Sequence, residues 1–189
     1  MSVYEQLRHL HYDLGPRPEP GLFPGLGSHA WLSPDLAYRY RLGRTWQEPG
    51  PLDLWVMLNP STADARDDDA TIRRCRGFSV RDRARGLVVV NLFALRSTNP
   101  AALLEHEDPV GPDNDVVIAE TVRHVREDGG RVIAAWGAHR MATGDRLAAV
   151  LELLHAGGPV LALGTTLSGA PRHPLYVPGS NRVTPWPPS

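Results

Sequence analysis

Apolar runs and polar breaks alternate along the chain, and two periods account for most of them. Leu54-Trp55-Val56-Met57-Leu58 is a continuous apolar run, the pattern of a parallel strand buried on both faces. Pro60 stops it by removing a backbone donor, which delivers Asn59 to the carboxyl end of the strand. Leu87-Val88-Val89-Val90-Asn91-Leu92-Phe93 repeats the device, with a β-branched run that again reaches an asparagine. Residues 131–136, followed by Gly137-Ala138-His139, and residues 159–163 predict two further strands. Residues 37–42 alternate with a period of two and predict a strand that is antiparallel or at an edge.

Between these runs the period lengthens to that of a helix. Ile72, Cys75, Phe78 and Val80 fall on one face of a helix over 70–84, capped by Asp68 or Asp69 and ended by Gly86. Asn99-Pro100 opens a short helix through Glu105, and Asp113 caps another that reaches about Glu127 before Gly129-Gly130. A last helix is expected over 145–155. Residues 1–35 read instead as an irregular arm, because Gly15-Pro16-Arg17-Pro18-Glu19-Pro20-Gly21 and Pro24-Gly25-Leu26-Gly27 are dense in breakers. The chain from 164 onward reads as loop and tail.

Strands alternating with helices imply parallel strands joined by crossovers. The expectation is therefore an α/β fold: a three-layer α/β/α sandwich around a central, mainly parallel four-stranded sheet, formed by one domain over 36–189. In open sheets of this kind ligands bind beyond the carboxyl ends of the strands, which is where Asn59 and Asn91 are expected.

Composition narrows the chemistry. No stretch of the 189 residues approaches the length that spans a bilayer, and the start lacks the charged and apolar regions of a secretory leader, so a cytoplasmic protein that makes no membrane contact is expected. Cys75 is the single cysteine, which excludes an internal disulfide and a metal cluster built on thiolates. All 20 basic residues are arginine, so lysine Schiff-base chemistry is excluded and every fixed cation is a planar fork suited to phosphate or carboxylate. Arginines crowd residues 66–85, but Asp67, Asp68, Asp69 and Asp82 are interleaved with them, as on a solvated helix face. The successive side chains Asp64, Asp67, Asp68 and Asp69, on a loop or helix start, do not converge as magnesium ligands would, and Ser61 lacks the elbow motif of a serine hydrolase. No cofactor or metal is expected. A formal net charge of −1 argues against coating nucleic acid by bulk electrostatics, while leaving room for a local patch.

Taken together, the segments at 57–64 (MLNPSTAD), 67–78, 86–100, 108–115, 133–139 and 171–176 (PRHPLY) resemble an uncharacterised bacterial and phage family. More distantly, their order resembles the uracil-DNA glycosylase superfamily, which places its motifs at the strand ends of a parallel α/β/α sandwich. Leu58-Asn59-Pro60 is similar to its water-activating loop, Gly77-Phe78-Ser79-Val80 to the segment whose aromatic stacks on the base, and the strand ending at Asn91 to the one that reads the base edge. His173-Pro174 is similar to the loop that stabilises the leaving base and enters the minor groove. The chain departs from the pattern in lacking the aromatic-histidine pair after Pro60 and in continuing His173-Pro174 with Leu175-Tyr176.

What the resemblance implies is a monomeric protein that binds, and excises by N-glycosidic hydrolysis, a damaged or modified base in DNA. Asn59 and His173 are the expected catalytic pair, one positioning water and the other donating to the departing base. Phe78, Asn91, Pro60, Ser61 and Arg172 are the expected substrate contacts: a stacking platform, an amide reading the base edge, the turn around Asn59 and a phosphate fork. Other readings stay open from the residues themselves. The asparagines fit strand-end caps, Phe78 fits a core position, and His139 fits the start of a helix. A hydrolase of free nucleotides or nucleosides, or a binding module without catalysis, uses the same pocket.

Overall fold

Strand β3 (Leu52–Met57) and strand β4 (Gly86–Asn91) pair in parallel at the centre of the sheet, with Met57 opposite Asn91. The computed structural model describes residues 27–61 and 68–187. Every residue of these two strands is buried, as continuous apolar runs require. Strand β5 (Arg131–Ala134) lies parallel on the other side of β3, and β6 (Val160–Ala162) continues the parallel set. The flanks are antiparallel. Strand β2 (Arg39–Thr45) pairs with β4 and carries β1 (Gly27–Leu32) on its outer edge, while β7 (Thr184–Trp186) closes the far edge against β6.

Among the described residues the result is one mixed seven-stranded sheet in the order β1-β2-β4-β3-β5-β6-β7, with four helices. This corrects the expectation of a four-stranded, mainly parallel sheet. The parallel centre has the four strands that the apolar runs predict, but three antiparallel strands extend it. The missed ones carry weak signals: β1 begins with glycine in the segment read as an irregular arm, and β7 is three residues around Pro185, tolerated because it is an edge. Residues 1–26 of that arm lie outside the described residues.

Helix α1 (Ala70–Arg81) packs on one face of the sheet; its Asp69 cap accepts from the Ile72 amide, and Ile72, Cys75 and Phe78 meet Trp55, Met57, Leu87 and Val89. The short α2 (Ala102–Glu105) precedes α3 (Asn114–Glu127) and α4 (Gly144–His155), whose Ile118, Val122, Val125, Val150 and Leu154 cover the opposite face through Leu54, Val56, Val88 and Val90. Strand periodicity decides the split, since odd and even positions of β3 and β4 point to different faces. The chain leaves β3 for α1 on one face and leaves β5 for α4 on the other, so the loops beyond β3 and β5 part. That topological switch point is where an open α/β sheet forms a crevice. Among the described residues no helix is long and apolar enough to cross a membrane.

At the opposite end of the strands, fully buried Asp53 receives a two-pronged bond from Arg131, Nε and Nη2 each at 2.8 Å. Arg131 also reaches Asp82, the residue that ends α1. Fully satisfied in this way, a buried carboxylate is tolerated beneath the sheet.

Candidate functional site

The crevice at the switch point is a cavity of about 540 Å3, within the range of small-molecule sites. The loops after β3, β4 and β5 and the turn at 171–176 build its walls. Asn59, Asn91 and His173, far apart in sequence, all line it.

Asn59 follows β3 and is held by two bonds from its amide nitrogen, to Ser97 O at 2.9 Å and Pro60 O at 3.1 Å. Both amide protons are thereby consumed, so the side chain presents its carbonyl oxygen Oδ1 as an acceptor at the wall. Pro60 is not at the cavity surface; its carbonyl oxygen accepts from Asn59 and from the Ser97 amide and laces two loops together. Ser61 lines the cavity, but its hydroxyl donates to Asp69. With the other Asp69 oxygen accepting from the Ile72 amide, that carboxylate is occupied as a helix cap.

Asn91 ends β4 on the floor, 1% exposed. Its backbone carbonyl accepts from Asn114 at the start of α3, yet its own Nδ2 is buried with no hydrogen-bond partner. A buried donor left unmatched costs about 1–3 kcal/mol. The residue lines the floor of the cavity, with this nitrogen itself covered.

His173 Nδ1 accepts from the Leu175 amide at 3.4 Å, which leaves the proton on Nε2 as the outward donor. Burial pushes this imidazole below the usual histidine range, against the opposing pull of Asp69, so the ring is neutral near pH 7. The turn carrying it is pinned twice. Gly137, at φ +76°, donates to Pro171 O, and Arg74 of α1 donates to the carbonyl oxygens of Pro174 and Val177. Arg172 lines the rim with Nε bonded to Thr165 O, leaving its Nη groups without a protein partner among the described residues.

Phe78 is elsewhere. It is 4% exposed in the core, 6.1 Å from the Trp55 ring, with the Arg74 and Arg81 guanidiniums 4.9 and 5.1 Å from its centroid. Its inward helical position decides this, and its ring supports Arg74 rather than a ligand. The aromatic at the mouth is Tyr176, 78% exposed and 5.7 Å from the His173 ring.

Sequence reasoning missed three further walls. Arg39, 3% exposed, reaches the cavity from β2, where a bulge sets Trp31 opposite Arg41 and Leu32 opposite Arg39 and so shifts the alternation by one residue. His139, which fits a helix start in the sequence, also lines the cavity, its Nδ1 accepting from the Met141 amide at 3.2 Å as His173 does from Leu175. Trp136 forms an apolar wall, braced edge-on by Trp186 with centroids 5.3 Å apart. Among the described residues no group of three or more histidine, cysteine or acidic side chains is arranged to hold a metal ion.

The cavity thus brings together the His173 Nε2 donor, the Arg39 side chain, the Asn91 amide on the floor and one oriented acceptor, Asn59 Oδ1. Comparison with curated proteins and with solved structures finds no match in either. A family model described as "Protein of unknown function (DUF1643)" matches residues 39–175, a span holding every cavity residue named here except Tyr176, and the chain belongs to that family.

Proposed function

We propose that this protein binds a nucleobase in the cavity and cleaves its N-glycosidic bond, with a damaged or modified base in DNA as substrate. The observation that carries this reading is the convergence of Asn59, Asn91 and His173 on one cavity of heterocycle size, with a buried Asn91 donor that lacks a partner. An unmatched amide donor on an apolar floor suits a ring carbonyl or ring nitrogen.

Hydrolysis breaks the bond between the sugar carbon and the base nitrogen. The bonding pair leaves with the base, the sugar passes through an oxocarbenium-like state, and water adds to that carbon and loses a proton to solvent. Neutral His173 donates through Nε2 to the base oxygen as charge gathers there, and the buried Arg39 cation lowers the energy of the same anion. Asn59 Oδ1 accepts from the attacking water and orients it. An amide does not take the proton as a carboxylate does, so slow turnover or a labile base is expected. Tyr176, rather than Phe78, offers the stacking surface.

The test is incubation with duplex and single-stranded oligonucleotides bearing uracil, deaminated purines and mismatches, followed by alkali to reveal abasic sites. Cleavage that disappears in Asn59→Ala and His173→Ala supports the reading. The net charge of −1 favours a second reading, hydrolysis of a free nucleotide or nucleoside, which predicts activity on mononucleotides alone. Base binding without cleavage of any substrate leaves a non-catalytic binding module.

A further inference from the structure

The arginine-rich stretch that begins at the cavity resolves into two populations. Asp68, Asp69 and Asp82, the described acids interleaved with it, are already matched by other partners. Asp68 pairs with Arg44 at 2.8 Å, and Asp82 receives Arg81, Arg131 and Arg182. Asp69 is spent on the Ile72 amide and the Ser61 hydroxyl. Among the described residues Arg73, Arg76 and Arg83 belong to no ion pair, and all three are exposed: Arg73 donates to the backbone oxygen of Asp68, Arg76 lies 5.5 Å from the Trp46 centroid, and Arg83 follows the helix.

Positions 73, 76, 77 and 80 recur at helical spacing, so they form one outward face of α1 opposite the buried Ile72, Cys75, Phe78 and Ser79, and Arg83 stands exposed in the turn beyond the Asp82 cap. Gly77 and Val80 separate the arginines without adding an acid. At a rise of 1.5 Å per residue the helical part of the stripe, 73–80, runs about 10 Å, roughly three steps of a nucleic-acid strand at 3.4 Å each. Its upper end is the start of α1, where Thr71 and Ile72 line the cavity.

We propose that Arg73 and Arg76 on α1, together with Arg83 in the turn that follows it, form a track for the phosphate backbone of DNA, leading a strand to the cavity mouth. The proposal rests on the nucleobase reading of the cavity and adds the surface that holds the backbone of the strand. Charge complementarity selects the occupant: three planar forks that among the described residues have no ion-pair partner, with a single exposed apolar side chain, Val80, between them. The protein's near-neutral total is compatible with this, because a local patch and not the sum decides contact with phosphates.

The experiment measures fluorescence anisotropy of a labelled duplex oligonucleotide against salt concentration, for the wild type and for the triple variant Arg73→Gln, Arg76→Gln, Arg83→Gln. Each phosphate contact contributes about 0.9 to the slope of log affinity against log salt, so the slope should fall by about 2 to 3 and affinity at low salt by at least about tenfold. Arg123→Gln, on the opposite face of the sheet, should leave the slope unchanged. Equal slopes for the wild type and the triple variant overturn the track, as do absence of oligonucleotide binding and equal affinity for polyglutamate. Nucleoside binding, read by NMR in the same proteins, reports the cavity separately: its failure refutes the nucleobase reading, while its survival in the triple variant beside a lost salt slope supports the track.

Discussion

Gly137 and His173 pack backbone to side chain so closely that a Cβ on the glycine would stand 3.3 Å from the Cβ of the histidine. With φ at +76°, Gly137 also holds a left-handed conformation that costs another residue about 1–2 kcal/mol. Gly137→Ala should therefore lower stability by roughly that amount and displace the imidazole from the cavity wall. Denaturant unfolding checks the first effect. Nucleoside titration checks the second, with a loss of affinity of about tenfold expected; unchanged affinity would show that the wall does not depend on this approach.

Two substitutions separate what the two nitrogens of His173 do. Asparagine retains an acceptor near Nδ1 for the Leu175 amide and removes the outward donor, whereas glutamine retains a donor near Nε2 and gives up the turn bond. His173→Asn should fold like the wild type and lose base cleavage by about 100-fold, and His173→Gln should keep more of it. Because burial lowers the folded-state value, the ring stays neutral to a lower pH than an exposed histidine does. Base affinity should be flat from pH 8 to 7 and begin to fall at a lower pH than an exposed histidine would give, as protonation removes the acceptor for Leu175. Decline beginning at pH 7.5 would contradict this.

Arg74 is a positioning residue for the same turn. Arg74→Met removes the bonds to Pro174 O and Val177 O while keeping an apolar chain against Phe78. Stability should fall by about 1–3 kcal/mol. The measurement that distinguishes positioning from bulk stabilisation is NMR titration of His173, whose value should move up toward that of an exposed histidine as the turn admits water. A titration that stays put would assign Arg74 a structural role alone.

His29 provides a separate pH response. Its ring lies against Gly43, its cross-strand partner, where even a methyl group would clash, and burial together with Arg41 and Arg44 brings it down to about 4. The unfolded chain binds this proton near pH 6.5, so the contribution is complete above 6.5 and is lost as pH falls toward 4, to a limit of about 3 kcal/mol. Urea midpoints between pH 7.5 and 4.5 should drop more steeply for the wild type than for His29→Gln. Parallel curves would place the acid sensitivity elsewhere.

How far the sequence discloses this site follows from the kind of signal each residue carries. Asn59 and Asn91 are legible because uninterrupted apolar runs end on them, and a buried parallel strand has one carboxyl end. His173 is legible through the prolines and arginine around it. Phe78 shows the limit of motif order: its spacing with Ile72 and Cys75 already marks an inward helical position, and the core claims it. Arg39 is hidden by a bulge that no local pattern announces. His139 and Tyr176 sit in loops whose course depends on β5 and on the Arg74 bonds, which are tertiary facts. The antiparallel flanks escaped for the opposite reason, since short edge strands need little intrinsic preference once a neighbour offers its unpaired backbone.

The bonds that Arg74 and Arg81 send to Pro174 and Asn181 each span 100 positions of chain. A ribosome releases β3, β4 and β5 well before it releases the far partners of these arginines. The nascent protein thus has Asn59 and Asn91 at the ends of paired strands, but no opposing imidazole until residue 173 emerges, and no second carbonyl oxygen for Arg74 to grip until residue 177 follows. Completion of the cavity waits for that turn, and a message cut short after β6 would leave a groove open on one side.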